Sequence, residues 1–386
     1  MELEAWHLLV LPLFFALGWM AARVDIRHVM RESRAVPTSY FKGLNYLLNE
    51  QPDKAIEAFV EIARLDPDTL ELHYALGALF RRRGELDRAI RIHQNLVDRS
   101  DLNQQQRLKA LYELGQDFFK AGLLDRAEEI FKSLETGVYA LDALSHLLDI
   151  YVLEKDWERA ITTARRLEKL GCPSRHADIA HYHCELALDA MLRKDLTAAA
   201  DQLKLAREAN RKSARAILLQ GDLQVLQDQP KRAIAAWREM ESVNPAYLPI
   251  VGERLYQVHK QLGRAAACIE LLKAYLVRQP SADLFHILFY AVQETQGWEA
   301  ATRLAKEELQ RNPSLRILDD YLQARNAAIG DADIEARLAQ DLVHKQASRL
   351  AYYQCRECGF KARQFFWQCP ACARWESIPP ERIDHD

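Results

Sequence analysis

A period of 34 residues runs through most of this 386-residue chain and limits its fold more than any other feature. Gly43, Tyr46, Ala55, Phe59 and Pro67 recur as Gly77, Phe80 and Ala89, then, after a four-residue insertion around SDLN, as Gly115, Phe118, Ala127 and Phe131. Tyr151 and Ala160, Ala199, and then Gly221, Ala233, Trp237 and Pro245 stay in register. Cys268 with Pro280 and Ala301 with Pro313 keep the closing step, although Tyr256 and Phe289 stand where earlier units have a small residue. The stretches between these markers are built from Ala, Leu, Glu, Arg and Gln, all good helix formers, and the 14 Gly and 13 Pro are thinly spread. Each period therefore reads as two helices and a turn.

That pattern fits the tetratricopeptide template, which asks for a small residue at position 8, an aromatic at 11, Ala at 20, a large apolar residue at 24 and Pro at 32. Small residues at 8 and 20 let the two helices approach closely, large ones fill the gaps, and the proline ends the second helix. One such hairpin cannot bury its apolar faces alone, so units stack into a right-handed superhelix whose concave side is lined by first helices. The register gives about eight units over 36–313. Residues 315–328 and 333–348 form a further helical pair, with Asp331 or Asp333 as N-cap, placed to cap the last apolar face within 314–350. The fold class is all-α.

The N-terminus departs from this. AWHLLVLPLFFALGWMAA, residues 5–22, has no Asp, Glu, Lys or Arg and as a helix would span ~27 Å, close to a bilayer core. Glu2 and Glu4 precede it where a signal peptide would be basic, so 1–23 reads as a retained transmembrane anchor with His7 near its outer interface. Arg23, Arg27, Arg31 and Arg34 crowd the other flank, making 24–35 a basic juxtamembrane linker and placing the body in the cytoplasm by the positive-inside rule. The remaining charge is balanced, 52 basic against 55 acidic residues for a net −3, which excludes a surface devoted as a whole to nucleic acid.

No P-loop, dinucleotide fingerprint, serine elbow or HExxH motif occurs, so no enzyme class is indicated. His176, His181, His183 and Cys184 cluster in HADIAHYHC, but their spacing does not place ligands on one helix face, and the run reads as a solvated or partly buried surface. RRRG at 81–84 and Arg165 with Arg166 read as solvated faces open to an acidic partner. Cys172, Cys184 and Cys268 are isolated and read as small core residues.

The tail is different. CRECGFKARQFFWQCPACARW sets Cys355 and Cys358 against Cys369 and Cys372 as two Cys-x-x-Cys knuckles ten residues apart, spacing that points four thiolates at one tetrahedral ion. Gly359 frees the first knuckle and Pro370 stiffens the second. Four thiolates leave no open position, so the site is structural, and it holds iron or zinc. Metal binding offsets the small core of a module spanning 351–386. Phe360, Phe365, Phe366, Trp367 and Trp375, interleaved with Arg356, Lys361, Arg363 and Arg374, either dock the module on the last helices or form a nucleic-acid surface.

The knuckles resemble rubredoxin-like and zinc-ribbon modules, with a shorter loop than in true rubredoxins, which counts against electron transfer. The order of parts over the whole chain resembles the bacterial lipopolysaccharide assembly protein B family (LapB, also YciM). That resemblance implies a non-enzymatic, single-pass inner-membrane protein with a periplasmic N-terminus. It implies an adaptor in lipopolysaccharide biosynthesis through which the membrane protease FtsH degrades the deacetylase LpxC, with other assembly proteins as further partners. It also implies Cys355, Cys358, Cys369 and Cys372 as the metal ligands. The competing readings are an iron-based redox protein and a nucleic-acid-binding ribbon.

Overall fold

The computed structural model describes residues 51–65, 70–329, 334–350 and 352–383, with positions 19, 20, 43, 45, 46 and 49 before them. The anchor and linker of the sequence analysis, Pro67 and the N-cap aspartates at 331 and 333 lie outside the described residues. Among the described residues no helix is long and apolar enough to cross a membrane. The chain divides into two compact units, Met1–Glu154 and Lys155–Asp386.

In the first unit, α1 (Pro52–Leu65) precedes two hairpins, α2 (Leu70–Arg83) with α3 (Leu86–Asp98) and α4 (Gln104–Lys120) with α5 (Leu124–Ser133), and α6 (Ala140–Leu153) follows. Position 8 meets position 24 as the template requires. A methyl group on Gly115 would stand 2.9 Å from Phe131, and one on Gly43 2.6 Å from Phe59. Only a missing Cβ lets the helices close to that distance. The insertion around SDLN ends in Asn103, whose side chain accepts from the Gln106 N–H while Gln106 reaches back to the Asn103 N–H, a reciprocal cap that restarts the helix.

Position 24 of the second unit of the array is not apolar. His93 is fully buried there and pairs through Nδ1 with the equally buried Asp117 at 2.5 Å. Arg81 bonds Asp117 at 2.7 Å and Glu113 at 2.7 Å. Of RRRG, Arg81 is thus not a solvated side chain as its sequence suggested; Arg82 and Arg83 are exposed. A buried carboxylate needs such partners, because an isolated charge in the interior is prohibitively costly.

In the second unit, α7 (Trp157–Lys169) is followed by the hairpins α8 (His176–Leu192) with α9 (Leu196–Ala209) and α10 (Ala214–Leu226) with α11 (Pro230–Arg238). A short α12 (Met240–Val243) and a 3-10 turn (Pro245–Tyr247) lead to α13 (Leu248–Gln261) with α14 (Ala265–Arg278), α15 (Ala282–Gln296) with α16 (Trp298–Arg311), and α17 (Leu315–Ile329) with α18 (Ile334–Leu350). Asp195, Ser213 and Ser281 cap α9, α10 and α15 with their side chains. Trp237 lies on Gly221 and donates its indole N–H to the Leu218 carbonyl at 3.0 Å, locking α11 to α10. Tyr256 and Phe289, the two departures from the small-residue rule, are buried in the core of this unit with Cys268 and Leu272. Lys194 and Asp228 adopt left-handed φ of 62° and 57° at turns where Gly263 and Gly297 serve in later units. The α17–α18 pair does not end the array on a polar face: Ile334, Leu338 and Leu342 of α18 are exposed.

Candidate metal centre and its dock on the repeats

After α18 the chain turns into a two-stranded antiparallel ribbon, β1 (Tyr353–Gln354) with β2 (Lys361–Ala362), in which Tyr353 faces Ala362. Two knuckles of matching hydrogen bonding follow from the two cysteine pairs. In the first, Gly359 N–H donates to the Cys355 carbonyl at 3.0 Å and Cys355 N–H to that of Phe360 at 2.9 Å. In the second, Ala373 N–H donates to Cys369 at 2.8 Å and Cys369 N–H to Arg374 at 2.9 Å. Gly359 at φ 75° and Ala373 at φ 55° occupy the same left-handed turn position. The first is the residue expected there; the second holds an unfavourable conformation that only the surrounding hydrogen bonds sustain.

These turns bring all four cysteines of the sequence analysis together. Their Sγ atoms lie within 4.8 Å of one another, with Cys355 3.7 Å from Cys372 and Cys358 3.7 Å from Cys369. A tetrahedron with ~2.3 Å metal–sulfur bonds has edges of about 3.8 Å, so the donor set fits a four-thiolate ion. The acid–base chemistry fits too. Burial raises the Cys355 thiol, but the Ser377 hydroxyl and the Cys358 and Glu357 N–H groups outweigh it and hold the thiol down at about 6. At Cys358 the Phe360 N–H lowers the pKa, yet partial desolvation and the three neighbouring sulfurs carry it up to about 12. Crowded thiols resist full ionisation until a cation shares their charge. Zinc and iron both satisfy this geometry. The other cysteines take no part: burial pushes Cys184 and Cys268 up to about 12 and both sit in helix cores, whereas Cys172, expected in the core as well, is only half-buried beyond the end of α7.

The module has only a small core of its own, Tyr353, Cys355, Cys369 and Ile378, with Phe360, Phe365 and Phe366 against it. Its two tryptophans are spent on the repeats. Trp375 stacks on His181 at 4.5 Å and 9°, presents edges to Trp157 and Tyr182, and lies 5.3 Å from the Arg215 guanidinium. Glu376 takes a hydrogen bond with His181 Nε2 at 3.1 Å. Trp367 stacks on Tyr247 at 5.1 Å and 4°, with Phe365 edge-on to both. Arg382 reaches Asp283 through its backbone N–H at 3.1 Å and its guanidinium at 3.2 Å, sharing that carboxylate with Arg316.

Two readings of the sequence are corrected by this. The aromatics do dock, but on the middle of the array and not on its last helices. HADIAHYHC, read as a solvated or partly buried surface, is exposed only at His176: His181, His183 and Cys184 are buried, and His181 is the seat of Trp375. His181, Arg215 and Asp283 are equivalent positions of the first helices α8, α10 and α15, 34 and then twice 34 residues apart, with Pro249 of α13 at the position between. The repeat thus generates a ladder of like-placed side chains, and the tail runs along it.

Residues 353–380 match the family described as the rubredoxin metal binding domain. Over 380 residues, 97% of each chain, the sequence is 36% identical to lipopolysaccharide assembly protein B of Escherichia coli strain K12. It is 28% identical to the protein of the same name from Haemophilus influenzae, over 96% of this chain and 97% of that one. A solved tetratricopeptide repeat protein from Parabacteroides merdae superposes with a TM-score of 0.35 at 13% identity, covering 75% of this chain and 98% of that one.

Proposed function

The chain belongs to the lipopolysaccharide assembly protein B family, and from that premise we propose that it is a membrane-tethered, non-enzymatic adaptor that restrains lipopolysaccharide synthesis by presenting LpxC to FtsH. The observation that most supports this is the use the chain makes of its metal module. Four cysteine sulfurs would complete the tetrahedral coordination of one ion, leaving no position for substrate. The aromatic side chains that a nucleic-acid ribbon would show to bases are stacked on His181 and Tyr247 instead. The module braces the repeats, and the repeats supply helix faces for protein partners.

The tether belongs to the same proposal. The uncharged run at 5–22 and the arginines at 23, 27, 31 and 34 favour a single span of the inner membrane with the body in the cytoplasm, where both FtsH and LpxC would have to be met. Crosslinking in native membranes followed by mass spectrometry should recover FtsH and LpxC with the full chain. A chain beginning at Val36 should be soluble and should leave LpxC long-lived at native expression. Full regulation by that soluble form would refute the tether, and crosslinks lacking both proteins would refute the adaptor role.

One observation favours a second reading: Cys358 is exposed, and an exposed thiolate ligand is what electron exchange at an iron centre needs. Reconstitution with zinc alone distinguishes the two. Normal regulation by the zinc form removes the redox reading, and loss of regulation with zinc supports it.

A further inference from the structure

Helix α18 is fixed on one side and bare on the other. Asn326 of α17 donates to the Ala336 carbonyl at 3.1 Å and to Gln340 at 2.8 Å, His344 bonds Asp319 at 2.8 Å, and Ala347 is buried. These contacts set the roll of the helix. The opposite side shows Ile334 at 78% exposure and Leu338 and Leu342 at 64% each. Three large apolar side chains in a row at four-residue spacing are more than the scattered exposed leucines of an ordinary surface.

The charges beside this stripe say what covers it. Glu335, Leu338, Leu342, Lys345 and Arg349 follow one another at steps of three and four, the seam of a paired helix, and all five are exposed. Glu335, Lys345 and Arg349 have no ion-pair partner among the described residues. The seam is also a palindrome about Gln340. A two-fold axis there sets Leu338 against Leu342 of a second copy, and Glu335 against its Lys345, each contact occurring twice. A parallel pair would instead set Glu335 against Glu335 and Lys345 against Lys345. An interface of two-fold symmetry must be complementary to itself in this way.

We propose that α18 pairs antiparallel with α18 of a second copy of this chain, making the protein a two-fold dimer through this helix. Seventeen residues give a helix of ~25 Å, and one face of it offers less area than the ~800 Å² per partner of a standard interface. The dimer is therefore weak in dilute solution and is strengthened wherever the copies are held on one surface.

Sedimentation of the full chain in detergent, over a wide concentration range, tests this. Association should rise with concentration and be abolished by Leu338→Asp. Glu335→Lys alone and Lys345→Glu alone should each weaken it at least tenfold, and the double exchange should restore it. Mixing the two single variants should also restore association, as heterodimers, which a misfolded variant could not do. A monomer at every concentration, a dimer indifferent to Leu338→Asp, or failure of both the double exchange and the mixture would overturn the proposal. So would loss of the exposed stripe to vesicles or to another protein with no self-association.

Discussion

Replacing Trp375 by Ala removes the ring that joins the metal module to four residues of the repeats at once. The indole is half-buried, so the loss is smaller than the ~3–5 kcal/mol of a fully enclosed Trp→Ala change. The stack on His181 contributes about 1 kcal/mol beyond area burial, the edges of Trp157 and Tyr182 somewhat less each, and the Arg215 contact about 0.5–1 kcal/mol. These terms overlap, and a net of about 2–3 kcal/mol is expected, or roughly 30- to 150-fold in the docked-to-undocked ratio. The module keeps its four cysteines and its core around Tyr353 and Ile378, so metal content should stay at one ion per chain. The assay is a denaturant titration followed by two signals, helicity and metal release. In the parent chain both should change together; in Trp375→Ala metal release should move to lower denaturant by about 2–3 kcal/mol. A variant whose metal release stays within ~0.3 kcal/mol of the parent would refute the reasoning that the dock is energetically significant.

Other perturbations bear on separate parts of the account. Cys358→Ser or Cys372→Ser leaves three thiolates; since a structural zinc contributes on the order of 10 kcal/mol, atomic absorption should find the metal lost, with helix content by circular dichroism largely retained. Gly221→Ala drives a methyl group into Trp237 and should cost about 1–3 kcal/mol in a thermal or denaturant melt, whereas Ala at the open, left-handed Gly263 is costly only through its backbone. Asp117→Asn takes the charge from between His93 and Arg81 and should destabilise the first unit by about 3–5 kcal/mol, because Arg81 then keeps only Glu113. Burial lowers the pKa values of His146 and His183, so the folded chain binds fewer protons than the unfolded one, and stability should fall as pH drops below ~6.5; His183→Gln, which keeps a hydrogen bond to Gln202 possible, should blunt that fall in melts between pH 7 and 5.

What the sequence disclosed, and what it hid, follows from the range of the interactions. Gly115 meets Phe131 and Gly221 meets Trp237 within a single hairpin, so those contacts imprint a period that can be read directly. The four cysteines lie within eighteen residues, and their chemistry has few alternatives. The dock pairs His181 with Glu376 across 195 residues, and no periodicity tells which helices a tail will cover. His93 broke the pattern at a position meant for a large apolar side chain, which was a legible sign of a buried polar partner, but Asp117 as that partner lies one hairpin away. The polar look of HADIAHYHC misled because a histidine stacked under a tryptophan is as buried as a leucine.

The central claim is that the metal module is a structural clamp on the repeats of the second unit, and its most direct test is chelation of the intact protein. Metal release should be followed alongside hydrogen exchange of residues 176–226 and 353–383. The account predicts one ion per chain, and on its removal a loss of protection both in 353–383 and in the helices that carry His181 and Arg215. Removal of the ion with 353–383 unfolded but protection of 176–226 unchanged would contradict it.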